Sequence, residues 1–116
     1  MKNITFIKAI DADDLAALSA DFFLNTLKSS NGPPTIILPT GFTPLGFYKE
    51  VATRYKNGDK NYGNFKYLAL DEYLGLPEGD RRSFASWLSR EILDPLEIRK
   101  EFRLTFASST ENVFEE

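Results

Sequence analysis

An α/β fold built on a mainly parallel sheet is what the sequence predicts, on three observations. Short apolar runs alternate along the chain with segments whose apolar residues recur at helical spacing. One run, Thr35-Ile36-Ile37-Leu38, has the continuous apolar character of a strand covered on both faces. Clusters of Gly, Pro, Asn and Ser separate the segments, as turn residues do between regular elements. The prediction is a partial doubly wound, mainly parallel sheet with right-handed crossovers and helices on both faces, Rossmann-like in outline.

The elements follow in order. Residues 3–10 (NITFIKAI) are rich in β-branched and aromatic types and predict a strand. Asp11-Ala12-Asp13-Asp14 then precedes Leu15, Leu18, Phe22, Phe23 and Leu27, predicting a helix over about 12–28 with acidic groups at its positive end. Ser29 to Pro34 is a helix stop and loop, and 35–38 is the second strand. Pro39-Thr40-Gly41-Phe42 reads as a turn, Thr43 as an N-cap and Pro44 as the first helical position. Leu45, Tyr48, Val51, Ala52 and Tyr55 make the apolar face of that helix, which Asn57-Gly58 ends. Residues 65–70 (FKYLAL) predict a third strand, with Asp71-Glu72-Tyr73 at its end and a loop through about Arg82. A helix carrying Phe84, Trp87, Leu88 and Ile92 stops before Pro95, residues 102–106 suggest a fourth strand, and the tail ENVFEE the start of another helix.

Composition narrows the chemistry. The chain has 116 residues, 42% of them hydrophobic and 14% aromatic, a globular composition. A net charge of −3 without a long basic run argues against a nucleic-acid partner or an anionic membrane surface. With no cysteine and no histidine, thiolate chemistry and the commonest acid–base side chain are both missing from these 116 residues. No signal-like or membrane-spanning apolar stretch is present, so a cytoplasmic protein is the expectation.

Two stretches could carry chemistry. The turn holding Thr40, Gly41, Phe42 and Thr43 falls at the carboxyl edge of the sheet, before a helix N-terminus, where hydroxyls, backbone N–H groups and the helix dipole suit a phosphate. The same residues serve equally well as a plain turn and cap. Asp71 and Glu72 follow a strand onto the same edge, where a partly desolvated carboxylate can act as a general base towards a carbon-bound proton. Side chains alternate along an extended chain, so one of the two is expected to face the cleft. A solvated acidic loop is the alternative. Arg81-Arg82 beside Asp80 reads as a solvated pair, and Trp87, Tyr48 and Tyr55 as core.

Taken together, residues 38–45 (LPTGFTPL), then Tyr48-Lys49, then residues 70–76 (LDEYLGL) resemble the glucosamine-6-phosphate deaminase/isomerase family, which shares its fold with the 6-phosphogluconolactonases. Ser83-Phe84 and residues 94–98 (DPLEI) continue the likeness over essentially all 116 residues, as the N-terminal portion of such a domain. Asp-Glu-Tyr, in place of the lactonases' Asp-Glu-Arg, favours the amino-sugar branch. The resemblance implies conversion of glucosamine 6-phosphate or galactosamine 6-phosphate to a ketose 6-phosphate and ammonia, without metal or redox cofactor. A 6-phosphogluconolactonase or a non-catalytic phosphosugar-binding module is the alternative. By the resemblance, Thr40, Gly41 and Thr43 hold phosphate and hydroxyls, Asp71 moves the proton between C2 and C1, and Glu72 is a motif neighbour. Phe42 stands where the family has a second glycine; if that position needs positive φ, it is strained and narrows the pocket. The family's ring-opening histidine and further basic ligands belong to a second half, so these residues alone are expected to be inactive and to self-associate or pair with that half.

Overall fold

Helix α1 starts where acidic side chains take up free N–H groups. In the computed structural model, which describes residues 3–106, α1 spans Ala12–Lys28. Asp11 accepts a 2.8 Å hydrogen bond from the Asp14 N–H, and the Asp14 carboxylate accepts one of 2.8 Å from the Ile10 N–H. The cap is therefore reciprocal. Strand β1 (Thr35–Leu38), helix α2 (Leu45–Lys56) and strand β2 (Lys66–Ala69) come next, with a 3-10 turn at Lys60–Gly63. Helix α3 (Phe84–Leu88) runs into a π-helical turn, Ser89–Leu93, and a second 3-10 turn, Lys100–Phe102, leads to strand β3 (Arg103–Leu104).

The strands form one parallel sheet in the order β1-β2-β3. Thr35 pairs with Lys66 and Leu38 with Ala69, while Tyr67 pairs with Arg103. Because side chains alternate, Ile36, Leu38, Tyr67 and Ala69 share one face. The core lies against that face: α1 contributes Ala20, Phe23 and Leu27, α2 Tyr48 and Val51, and the π-helical turn Ile92 and Leu93. Phe23 meets Phe47 and Phe65 edge-on at 5.6 and 5.5 Å, the geometry that aromatic quadrupoles favour. Arg54 of α2 fastens α1 to this core. Its guanidinium lies 2.6 Å from Asp21 and donates to the Tyr62 hydroxyl at 3.0 Å, and that hydroxyl donates to the Ala20 carbonyl at 2.9 Å.

Several expectations need correction. Residues 3–10 are not a strand: among the described residues no segment pairs with them, and Phe6 is 90% exposed. β-Propensity describes fit to a pleated surface, and here no neighbouring strand supplies one. Strand β1 is not covered on both faces, since Ile37 is 51% exposed on the side opposite the core. Leu15 and Phe22, at helical spacing on α1, are also exposed and line an apolar groove with Ile7, Ile36 and Phe47. The helix after Ser83 keeps α-geometry for only five residues. Pro95 has no N–H to continue it, and the Asp94 N–H reaches back five residues to the Ser89 carbonyl. The strand expected over 102–106 is shorter, at Arg103–Leu104. The expected C-terminal helix lies outside the described residues.

Candidate functional site at the carboxyl edge of the sheet

Parallel pairing brings the two candidate stretches to one edge. Leu38 and Ala69 are register partners and each ends its strand. Thr40 and Asp71 both lie two residues beyond that pair, and adjacent strands run about 4.8 Å apart. Gly41 has φ +108°, a left-handed conformation that glycine adopts freely, and nothing crowds the place of its missing Cβ. The glycine is needed for the bend. Phe42 does not have positive φ, so it is not strained; its ring is 94% exposed beyond the edge.

Thr43 does not cap α2. Pro44 occupies the cap position, no side chain bonds to the helix there, and a turn is closed by the Leu45 N–H to the Phe42 carbonyl at 3.2 Å. The Thr40 and Thr43 hydroxyls are thus not committed to the helix, and the first turn of α2 has no side-chain acceptor. Twelve residues of α2 put a positive dipole end beneath the turn. Tyr48, one turn into the helix, holds this stretch down by donating its buried hydroxyl to the Pro39 carbonyl. Burial, and then Tyr67, push the Tyr48 phenol above its ordinary range, so it stays a donor.

On the neighbouring strand the two carboxylates have different surroundings. Asp71 is exposed, and no hydrogen bond to its carboxylate occurs among the described residues. Glu72 turns to α3: Oε1 accepts from the Tyr73 and Phe84 N–H groups at 2.9 Å each, and Oε2 from the Ala85 N–H at 3.0 Å. Ser83 caps the same helix through the Ser86 N–H at 3.0 Å. Tyr67, buried beneath, has its phenol pushed up to about 12 by burial and then by the Glu72 and Asp71 carboxylates. Sequence reasoning took Tyr48 for core and Glu72 for a neighbour. A tyrosine in place of phenylalanine on a buried helix face was the available signal for the first, because a buried phenol needs a partner. For Glu72 the signal was a helix start at Ser83-Phe84, whose N–H groups attract a carboxylate.

Arg82, largely exposed, pairs with the less exposed Asp80 at 2.8 Å and holds that carboxyl down at about 2. Among the described residues no cluster of acidic side chains could hold a metal ion, and no helix is long and apolar enough to cross a membrane.

A parallel α/β sheet with an open helix N-terminus and a free carboxylate at one strand-end edge is the class that fold and site define. No protein-family profile matches the chain. Individual relatives do. The chain is 38% identical over 82 residues to glucosamine-6-phosphate deaminase of Beutenbergia cavernae, covering 71% of this chain and 31% of the relative. It is 36% identical over 87 residues to glucosamine-6-phosphate deaminase 1 of Homo sapiens, covering 72% and 30%. The glucosamine-6-phosphate deaminase of Colwellia psychrerythraea is 31% identical over 91 residues, covering 78% and 33%. The chain spans about a third of the length of these curated relatives. A solved structure of a monomeric glucosamine-6-phosphate deaminase of the NagB superfamily superposes with a TM-score of 0.80 over 97% of this chain and 46% of its own. At 17% identity that likeness shows the fold. By sequence, the chain is related to the glucosamine-6-phosphate deaminases over the part of their length that it spans, the same family that residues 38–45 and 70–76 resemble.

Proposed function

We propose that these residues form the first part of an active site that isomerises and deaminates an amino-sugar phosphate, glucosamine 6-phosphate or galactosamine 6-phosphate. The turn at 40–43 holds the phosphate and nearby hydroxyls. Asp71 takes the proton from C2 of the open-chain sugar and returns it to C1, leaving an imine at C2. Water adds there and ammonia leaves, giving the ketose 6-phosphate. The observation that supports this most is the shared register: an unoccupied carboxylate and a turn over an uncapped helix N-terminus lie two residues past one parallel pair. A phosphate at the turn then puts the sugar's reacting carbons within reach of a base on the next strand. Opening the sugar ring needs a further acid–base group, which the resemblance assigns to a histidine, and the 116 residues contain none.

The test is ammonia release from glucosamine 6-phosphate, with lactone hydrolysis and phosphosugar binding measured beside it. The polypeptide of residues 1–116 is expected to bind phosphosugar weakly without releasing ammonia. In whatever assembly is active, Asp71→Asn keeps the shape, removes the base and lowers turnover by roughly two to four decades with binding retained. Near-normal turnover in that variant, or lactone hydrolysis in its place, overturns the reading.

A further inference from the structure

The pair Asp71-Glu72 divides its work in an unequal way. Glu72 spends both carboxylate oxygens on backbone N–H groups, two of them, Phe84 and Ala85, at the start of α3 and a dozen residues along the chain. The Tyr73 ring adds a second tie, lying 4.5 Å from the Phe84 ring. On its other side Asp71 is two residues from Ala69, which the ladder locks to Leu38. Asp71 thus sits on a short bridge anchored at both ends, by the sheet before it and by α3 after it. Its own side chain takes part in neither anchor.

We propose that Glu72 is the positioning residue for Asp71: its carboxylate binds the loop after β2 to the start of α3 and so fixes where the Asp71 carboxylate stands at the sheet edge. This assignment rests on the reading of Asp71 as proton-transfer base. Its structural content, the clamp, stands apart from that reading. Glu72 cannot itself serve as an open base, because three N–H groups surround its oxygens. Hydrogen bonds to a charged acceptor are the stronger kind, so a neutral replacement of this carboxylate weakens every bond it accepts. Tyr67 packs below with its phenol kept neutral, so no further negative charge forms beneath the two carboxylates.

The clamp is read by amide hydrogen exchange and backbone relaxation in the 116-residue protein, on Glu72→Gln, Glu72→Ala and a control, Ser83→Ala, which removes the other cap of α3. Glutamine keeps one acceptor oxygen and alanine none. Exchange at Phe84 and Ala85 is therefore expected to rise about tenfold in Glu72→Gln and more in Glu72→Ala, as loss of bonds to a charged acceptor predicts. Backbone order at Asp71 falls in both. Ser83→Ala loosens the Ser86 amide and leaves Asp71 ordered. Where ammonia release is measurable, Glu72→Gln lowers kcat with KM nearly unchanged, the signature of a displaced base. Unchanged exchange at Phe84 and Ala85, or equal loss of order at Asp71 in the Ser83→Ala control, overturns the positioning role. Asp71→Asn separates the two claims: full turnover there defeats the base assignment while the exchange data still decide the clamp.

Discussion

Replacing Tyr48 by phenylalanine removes one oxygen from the middle of the core and one tie from the candidate phosphate turn. The ring is fully buried and its contacts with Phe47 at 5.5 Å and Trp87 at 6.1 Å survive the change. Only the hydrogen bond to the Pro39 carbonyl is lost. Such bonds contribute about 0.5 to 1.5 kcal/mol net. Pro39 is exposed, so its carbonyl can bind water in the variant and the full desolvation penalty does not apply. The expected cost is about 1 kcal/mol, or a fall in Tm of roughly 4 °C for a domain of this size. Sulfate or phosphosugar affinity at the turn should fall by no more than about tenfold, the equivalent of 1.4 kcal/mol. There is also a pH signature. With its folded pKa raised, the phenol contributes stability that is fully present below the ordinary tyrosine value of 10.0 and is lost as the pH rises above it. Tyr48→Phe should therefore flatten the alkaline limb of the stability profile. Thermal melts across pH, paired with anion titration, make the assay. Unchanged Tm, affinity and alkaline limb together would show that the hydroxyl anchors nothing.

Arg54→Met keeps the aliphatic packing but removes the bonds to Asp21 and to the Tyr62 hydroxyl, which keeps its own bond to the Ala20 carbonyl; with Asp21 open to water, a loss of about 0.5 to 1.5 kcal/mol in denaturant unfolding is expected, with no change in anion binding. Gly63→Ala would bring its Cβ to 3.0 Å from both the Leu96 carbonyl and the Tyr55 ring, so it should destabilise by about 1 to 3 kcal/mol; a neutral result in the same unfolding assay would mean that the ring gives way. Asp80 should titrate at about 2 by NMR and return towards 3.8 in Arg82→Gln. Since its folded pKa is depressed, its contribution is present above about 4 and is lost as the pH falls towards 2, and because its partner Arg82 is largely exposed the effect on overall stability should be small.

How much of this was legible depended on whether one segment sufficed to decide it. Asp11 and Asp14 lie within four residues of the N–H groups they satisfy, and α1 begins where the sequence predicts. Asn57-Gly58 ends α2 for the same local reason. The two misread strand segments, residues 3–10 and β1, needed information from elsewhere in the fold. Residues 3–10 and β1 have almost the same β-forming composition, yet Leu38 is buried against Ala69's strand while Phe6 is exposed. Both carry β-branched residues, and what separates them in the fold is the partner strand. Thr43 fails as a cap because a threonine, however well placed in sequence, competes with the turn that the Phe42 carbonyl closes.

The carboxylate pair shows the same division inside the candidate site. Alternation along the strand requires Asp71 and Glu72 to point apart, which is a local rule and could be stated in advance. Which of the two would remain free could not, because the answer lies in the Phe84 and Ala85 N–H groups a dozen residues away. A helix start without its full set of acceptors captures the nearer carboxylate, since a charged acceptor gains more there than in water. With Glu72 captured, Asp71 is left exposed, two residues past the same parallel pair as Thr40. The chemistry proposed for Asp71 therefore depends on a neighbour of identical charge having found another partner. Moving the α3 start by one residue would be enough to disturb it, even with every residue of the Asp-Glu-Tyr motif intact.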